Sequence, residues 1–62
     1  MCESNVFMAS DGREDLIMEA VDIIKTEGAE LFLQGVLGDT IRVKGRIKEL
    51  RLMEHKIIVE PQ

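Results

Sequence analysis

Apolar and polar residues alternate most regularly over Thr40, Ile41, Arg42, Val43 and Lys44, with Ile41 and Val43 on one face and Arg42 and Lys44 on the other. A period of two predicts a half-buried strand. Gly45 interrupts it, and the apolar set continues through Ile47 before shifting phase to Leu50 and Leu52, so the strand is expected to bend or bulge near Lys48-Glu49. Lys56, Ile57, Ile58, Val59 and Glu60 form a β-branched run that stops at Pro61, where a ladder donor is lost, and read as a closing strand. Leu31, Phe32 and Leu33 with Val36 and Leu37 read as another strand, with a short helix as the alternative, and Asn5 to Ala9 as the first. Turn signals at Ser10-Asp11-Gly12, Glu27-Gly28 and Gly38-Asp39, with a polar break at Glu54-His55, divide the chain at short, even intervals. That rhythm suggests a β meander or small barrel.

The segment 14–25 is ambiguous. Leu16, Ile17, Ala20, Val21 and Ile24 form the stripe of an amphipathic helix, with Asp11 able to cap it and Gly28 to stop it. The strand alternative divides the segment, with Leu16 and Met18 inward, a phase change at Glu19-Ala20, then Val21 and Ile23 inward. On periodicity alone the segment reads as a helix, which gives an α+β fold with a helix at 14–25; the other fold class open to the chain is an all-β, single-domain barrel or meander of about five to seven short strands.

Sixty-two residues make one domain, 1–62, near the lower limit for a self-sufficient core. Help from outside the core is expected, and one cysteine rules out an intrachain disulfide, leaving self-association or a metal shared between chains. A hydrophobic content of 45% is that of a folded domain. No apolar run approaches the ~20 residues that cross a bilayer, and the start Met-Cys-Glu-Ser-Asn lacks the regions of a signal peptide. The expected address is the cytoplasm, with no membrane partner and a reduced thiol.

A net charge of −4 argues against nucleic acid as the main partner, and Phe7 and Phe32 are a poor stacking platform. The local exception is Arg42, Lys44, Arg46, Lys48 and Arg51, the first four of which share a face at strand spacing. The stripe reads as a solvated edge that discourages edge-to-edge pairing, with a phosphate-binding surface as the alternative.

The carboxylates are scattered, and no serine elbow, phosphate loop or Cys/His nucleophile pair is present, so no enzyme is predicted. His55, the single histidine, reads as a turn residue bonding to backbone or water. Cys2 differs by position. With the initiator methionine removed, its thiolate and terminal amine would sit on adjacent carbons and could close a five-membered chelate, a donor set that suits Ni(II) or Cu(II). On these residues alone an incidental thiol is the plainer alternative.

The start Met1-Cys2-Glu3, the block Arg42 to Glu49 and the close His55 to Glu60, together with Asp11-Gly12 and Glu27-Gly28 at the same spacing, resemble the CooT family of small nickel-binding proteins. The resemblance covers nearly the whole chain. It implies a small β barrel, with strands rather than a helix over 14–25. It also implies a cytoplasmic homodimer that binds Ni(II) through Cys2 and serves a client nickel enzyme, carbon monoxide dehydrogenase, as carrier or chaperone. Some members have been labelled RNA-binding, which the acidic balance supports poorly. A two-fold axis would bring two copies of Cys2 to one metal at the dimer interface. The alternative function is a nucleic-acid or protein-interaction module using the cationic strand 42–48.

Overall fold

Alternation becomes sheet along almost the whole chain. The structure, a computed structural model, describes residues 3–61. Its strands are β1 (Ser4–Ser10), β2 (Arg13–Glu27), β3 (Glu30–Gly35), β4 (Thr40–Arg51) and β5 (Lys56–Pro61), with a 3-10 turn at Leu52–Glu54 before β5. Consecutive strands pair antiparallel, and β5 returns parallel to β1, closing the barrel. Closure removes the free edges that a meander would leave for other chains to pair with.

The helix considered for 14–25 does not form; the segment lies within β2. Its helical stripe arises from two strand halves joined out of phase. Met18 and Val21 are both buried, an odd spacing that a strand reaches by inserting one residue, and the insertion is Ala20 at φ 54°. The backbone groups freed by this bulge find partners. Ala20 N–H donates to Asn5 Oδ1 at 3.1 Å, and Ala20 O accepts from Val36 N–H at 2.9 Å. Leu16 and Ile23, expected inward, are 48% and 37% exposed. Register shifts between Val6 and Phe7 and between Val21 and Ile23 carry them out of phase, and Leu16 lies opposite Phe7 on the outer face.

The core is Val6, Met18, Val21, Leu31, Leu33 and Val59, with Ile41, Val43 and Ile57 among the partly buried residues packed against it. The faces predicted for Ile41 and Val43 are therefore the faces observed. Ile47, expected inward with them, is 39% exposed, beside the register shift between Ile47 and Glu49 where β4 bends. Gly45 is buried where β4 passes β5, and a Cβ there would sit 2.6 Å from Glu60 O.

Ile58 is fully buried yet stands outside that core cluster. Since Ile57 and Val59 point inward, alternation turns Ile58 to the outer face, where its register partners are Phe7 and Glu49. A charged strap crosses this face from β2 to β4: Glu14 pairs with Lys56 at 3.1 Å and Arg51 at 3.2 Å, and Arg51 with Glu49 at 3.0 Å. Lys56 Nζ lies 4.6 Å from the Phe7 ring centroid. The aliphatic stems of such residues exclude water from what lies below.

Candidate functional site

Three places carry chemistry in the sequence: the chain start, the cationic strand and His55. The start of β1 is held from both sides. Asn5 N–H donates to His55 O at 2.9 Å, while the Asn5 side chain accepts from Ala20 on β2. Cys2, the predicted metal ligand, lies outside the described residues, as does Met1. His55 sits in the turn before β5, where its φ of 53° and its N–H bond to Leu52 O at 3.2 Å close the 3-10 turn. Among the described residues, no three His, Cys, Asp or Glu side chains are grouped so as to hold a metal ion.

Apolar surface flanks the start of β1 on both sides. Leu52 and Met53, 73% and 95% exposed, adjoin His55. On the β2 side, Val36 and Leu37 are 42% and 93% exposed, at the turn bonded to Ala20. Val36 and Leu37, expected in a strand, belong to the turn after β3. The signal that marks them is Gly38-Asp39, which immediately follows and ends the run.

The cationic strand is largely compensated. Arg42 pairs with Glu27, and Arg46 with Glu60 at 2.7 Å. The Arg42 guanidinium also lies over the Phe32 ring, 5.1 Å from its centroid. Among the described residues Lys44 and Lys48 alone of the four make no ion pair. Cross-strand carboxylates thus convert the stripe into a mixed-charge face, which weakens the case for a phosphate-binding surface. On the strap, the hydrogen bond from Lys56 holds the Glu14 carboxyl below its ordinary value, and the hydrogen bond from Arg51 does the same for Glu49. In return Glu49 raises Arg51. These are structural pairs on an outer face, with the signature of ion-pair stabilisation.

Open grooves mark the surface formed by the described residues. One, of about 500 Å³, lies at the β1–β2 hairpin between Asp11, Arg13, Lys48 and Glu60. Another, of about 420 Å³, runs beside the Val36-Leu37 turn and is more apolar. Among the described residues no helix is long and apolar enough to cross a membrane.

The model of the CO dehydrogenase accessory protein CooT matches residues 1–60. The chain belongs to the CooT family. An uncharacterized protein of Archaeoglobus fulgidus is 44% identical over 43 residues, spanning 69% of this chain and 96% of that protein. The crystal structure of a candidate CooT from Carboxydothermus hydrogenoformans superposes with a TM-score of 0.92 at 31% identity, covering 98% of both chains. The CooT match takes in Cys2 together with the Arg42–Glu49 and His55–Glu60 blocks, and the shared barrel is the all-β fold that the resemblance implied. The family is one of CO dehydrogenase accessory proteins.

Proposed function

We propose that this CooT protein carries Ni(II) as cargo for the maturation of a client CO dehydrogenase in the cytoplasm, gripping the ion through Cys2 at the interface of a two-fold homodimer. The observation that carries this reading is the family match over residues 1–60, which includes the chain's single thiol. Donor chemistry supports it. A thiolate with amine or amide nitrogens of the chain start favours Ni(II) over Mg(II) or Ca(II), and a two-fold axis doubles each donor without adding a residue. The described side chains offer no competing cluster of ligands. Asn5, bound on both sides, fixes the strand from which the chain start extends, and Cys2 precedes it by three residues. The apolar Leu52 and Met53 beside His55 supply surface for the two-fold contact.

The test is Ni(II) titration followed by thiolate-to-metal absorption, run with sedimentation on the wild type and Cys2→Ser. The expected result is one nickel per two chains, affinity that falls as acid protonates the thiolates, and a Cys2→Ser dimer that binds no nickel. Undiminished affinity in Cys2→Ser, one nickel per chain, or a monomeric wild type would refute the arrangement.

A further inference from the structure

The connection from Gly35 to Asp39 holds an apolar knob in a fixed place. Gly35 N–H donates to Asp39 O at 2.8 Å, Gly38 N–H to Gly35 O at 3.0 Å, and Val36 N–H to Ala20 O at 2.9 Å. Gly38, at φ 91°, supplies the left-handed residue the turn needs. At the tip, Leu37 is 93% exposed. A leucine presented this way adds nothing to folding, but it is preorganised for contact, because the ordering cost of the loop is already met. Beside the knob runs the apolar groove floored by Ile17 and Ile41, with Glu19 and Asp39 at its rim.

Charge distinguishes the possible occupants. Arg13, Arg42, Arg46, Arg51 and Lys56 are all engaged by carboxylates. Glu19 and Asp39 make no ion pair or side-chain hydrogen bond among the described residues, and no Lys or Arg lines the groove. The Asp39 carboxylate lies close beside Gly35, where a Cβ would be 2.5 Å from Oδ1. A second copy meeting this face about a two-fold axis would set both carboxylates near their own images, between subunits of net charge −4 each. The complementary occupant is apolar at its centre and basic at its edge.

We infer that the Leu37 knob and its acidic-rimmed groove are the docking surface for the client CO dehydrogenase, which meets it with an apolar contact flanked by Lys or Arg. This rests on the carrier reading and adds the surface and charge of the partner. The groove adjoins Ala20, which also bonds Asn5, so a client docked there lies beside the strand that leads to Cys2.

The experiment titrates nickel-free CO dehydrogenase of the source organism with the full-length wild type, Leu37→Asp, Leu37→Ala and Glu19→Lys at low and high salt. Wild type is expected to bind with an affinity that falls as salt rises; Leu37→Asp weakens binding about tenfold or more, and Glu19→Lys weakens binding and flattens the salt dependence. Leu37 is exposed, so both Leu37 variants should fold, dimerise and bind nickel as the wild type does. Wild-type affinity in Leu37→Asp and Glu19→Lys would overturn the surface while leaving the client reading standing. Failure of the wild type to bind the enzyme would overturn both. A monomeric Leu37→Asp would give the groove to the homodimer and overturn the proposal.

Discussion

Gly45→Ala tests the closest backbone approach in the barrel. Gly45 is buried on β4, bonded through its N–H to Ala29 O at 3.1 Å, and opposite Pro61 on β5. An added Cβ would sit 2.6 Å from Glu60 O and 3.1 Å from Val59 Cγ1, whereas real Cβ atoms keep beyond 3.0 Å. The first clash is with backbone, which no rotamer change relieves. β4 and β5 must separate, at a join where register is already shifted between Ile47 and Glu49. Overpacking of this kind costs roughly 1–3 kcal/mol, offset by about 0.4–1 kcal/mol from the stiffer unfolded chain. The net loss is about 1–2 kcal/mol. At about 0.05–0.15 kcal/mol per residue, a chain this size holds only roughly 3–9 kcal/mol in all. With about 4–8 °C per kcal/mol for a small domain, the midpoint should fall by about 5–15 °C. The assay is thermal and urea unfolding followed by circular dichroism at one fixed protein concentration, since self-association would shift the midpoint. A Gly45→Ala midpoint equal to or above that of the wild type would refute the reasoning.

Three further outcomes are expected. Ala20→Gly should raise the midpoint by a few degrees, because relief of about 1–2 kcal/mol of left-handed strain exceeds the added unfolded-state entropy; a clear fall in calorimetry would show that the bulge is not strained. Ile58→Ala should cost about 2–4 kcal/mol, as for a core residue, although Ile58 lies on the outer face; urea midpoints near the wild type would mean that the strap does not seal it. Glu14 and Glu49 have folded values depressed below 4.5, so their contribution is present above 4.5 and lost as pH falls through the folded values. The thermal midpoint of wild type should therefore drop more on acidification than that of Glu14→Gln, and parallel pH profiles would contradict the pairing.

The strands were legible because inside and outside alternate on the residues themselves. Ile41 and Val43 declare their faces with no knowledge of partners. The segment 14–25 was not legible from pattern because a bulge changes the period locally. Met18 and Val21 are three apart on one inner face, a spacing a helix also produces, and only the resemblance separated the two. Gly45 read as an interruption, but its cause, the passage of Glu60 O, belongs to a strand fifteen residues later. Ile58 and Val59 are both fully buried because the barrel wall has two covered sides at β5, one filled by the core and one sealed by the strap. Binary patterning assumes one.

For the site, the sequence and the barrel speak to different parts. Cys2 stands out because the chain's single thiol sits at position 2, and it is the resemblance that raises it above an incidental cysteine. The cationic block stands out equally, yet its meaning depends on neighbours distant in the chain: Glu27 is fifteen residues from Arg42, and Glu60 fourteen from Arg46. Pairing across strands spends the charges of Arg42 and Arg46, while Glu19 and Asp39, unremarkable in sequence, are left uncompensated beside an exposed leucine. A charge count assigns the same −4 to either outcome. What decides the surface is which carboxylates the strand register brings opposite a cation, and Glu19 and Asp39 on the Ala20 side, next to the start of β1, are among those left without one.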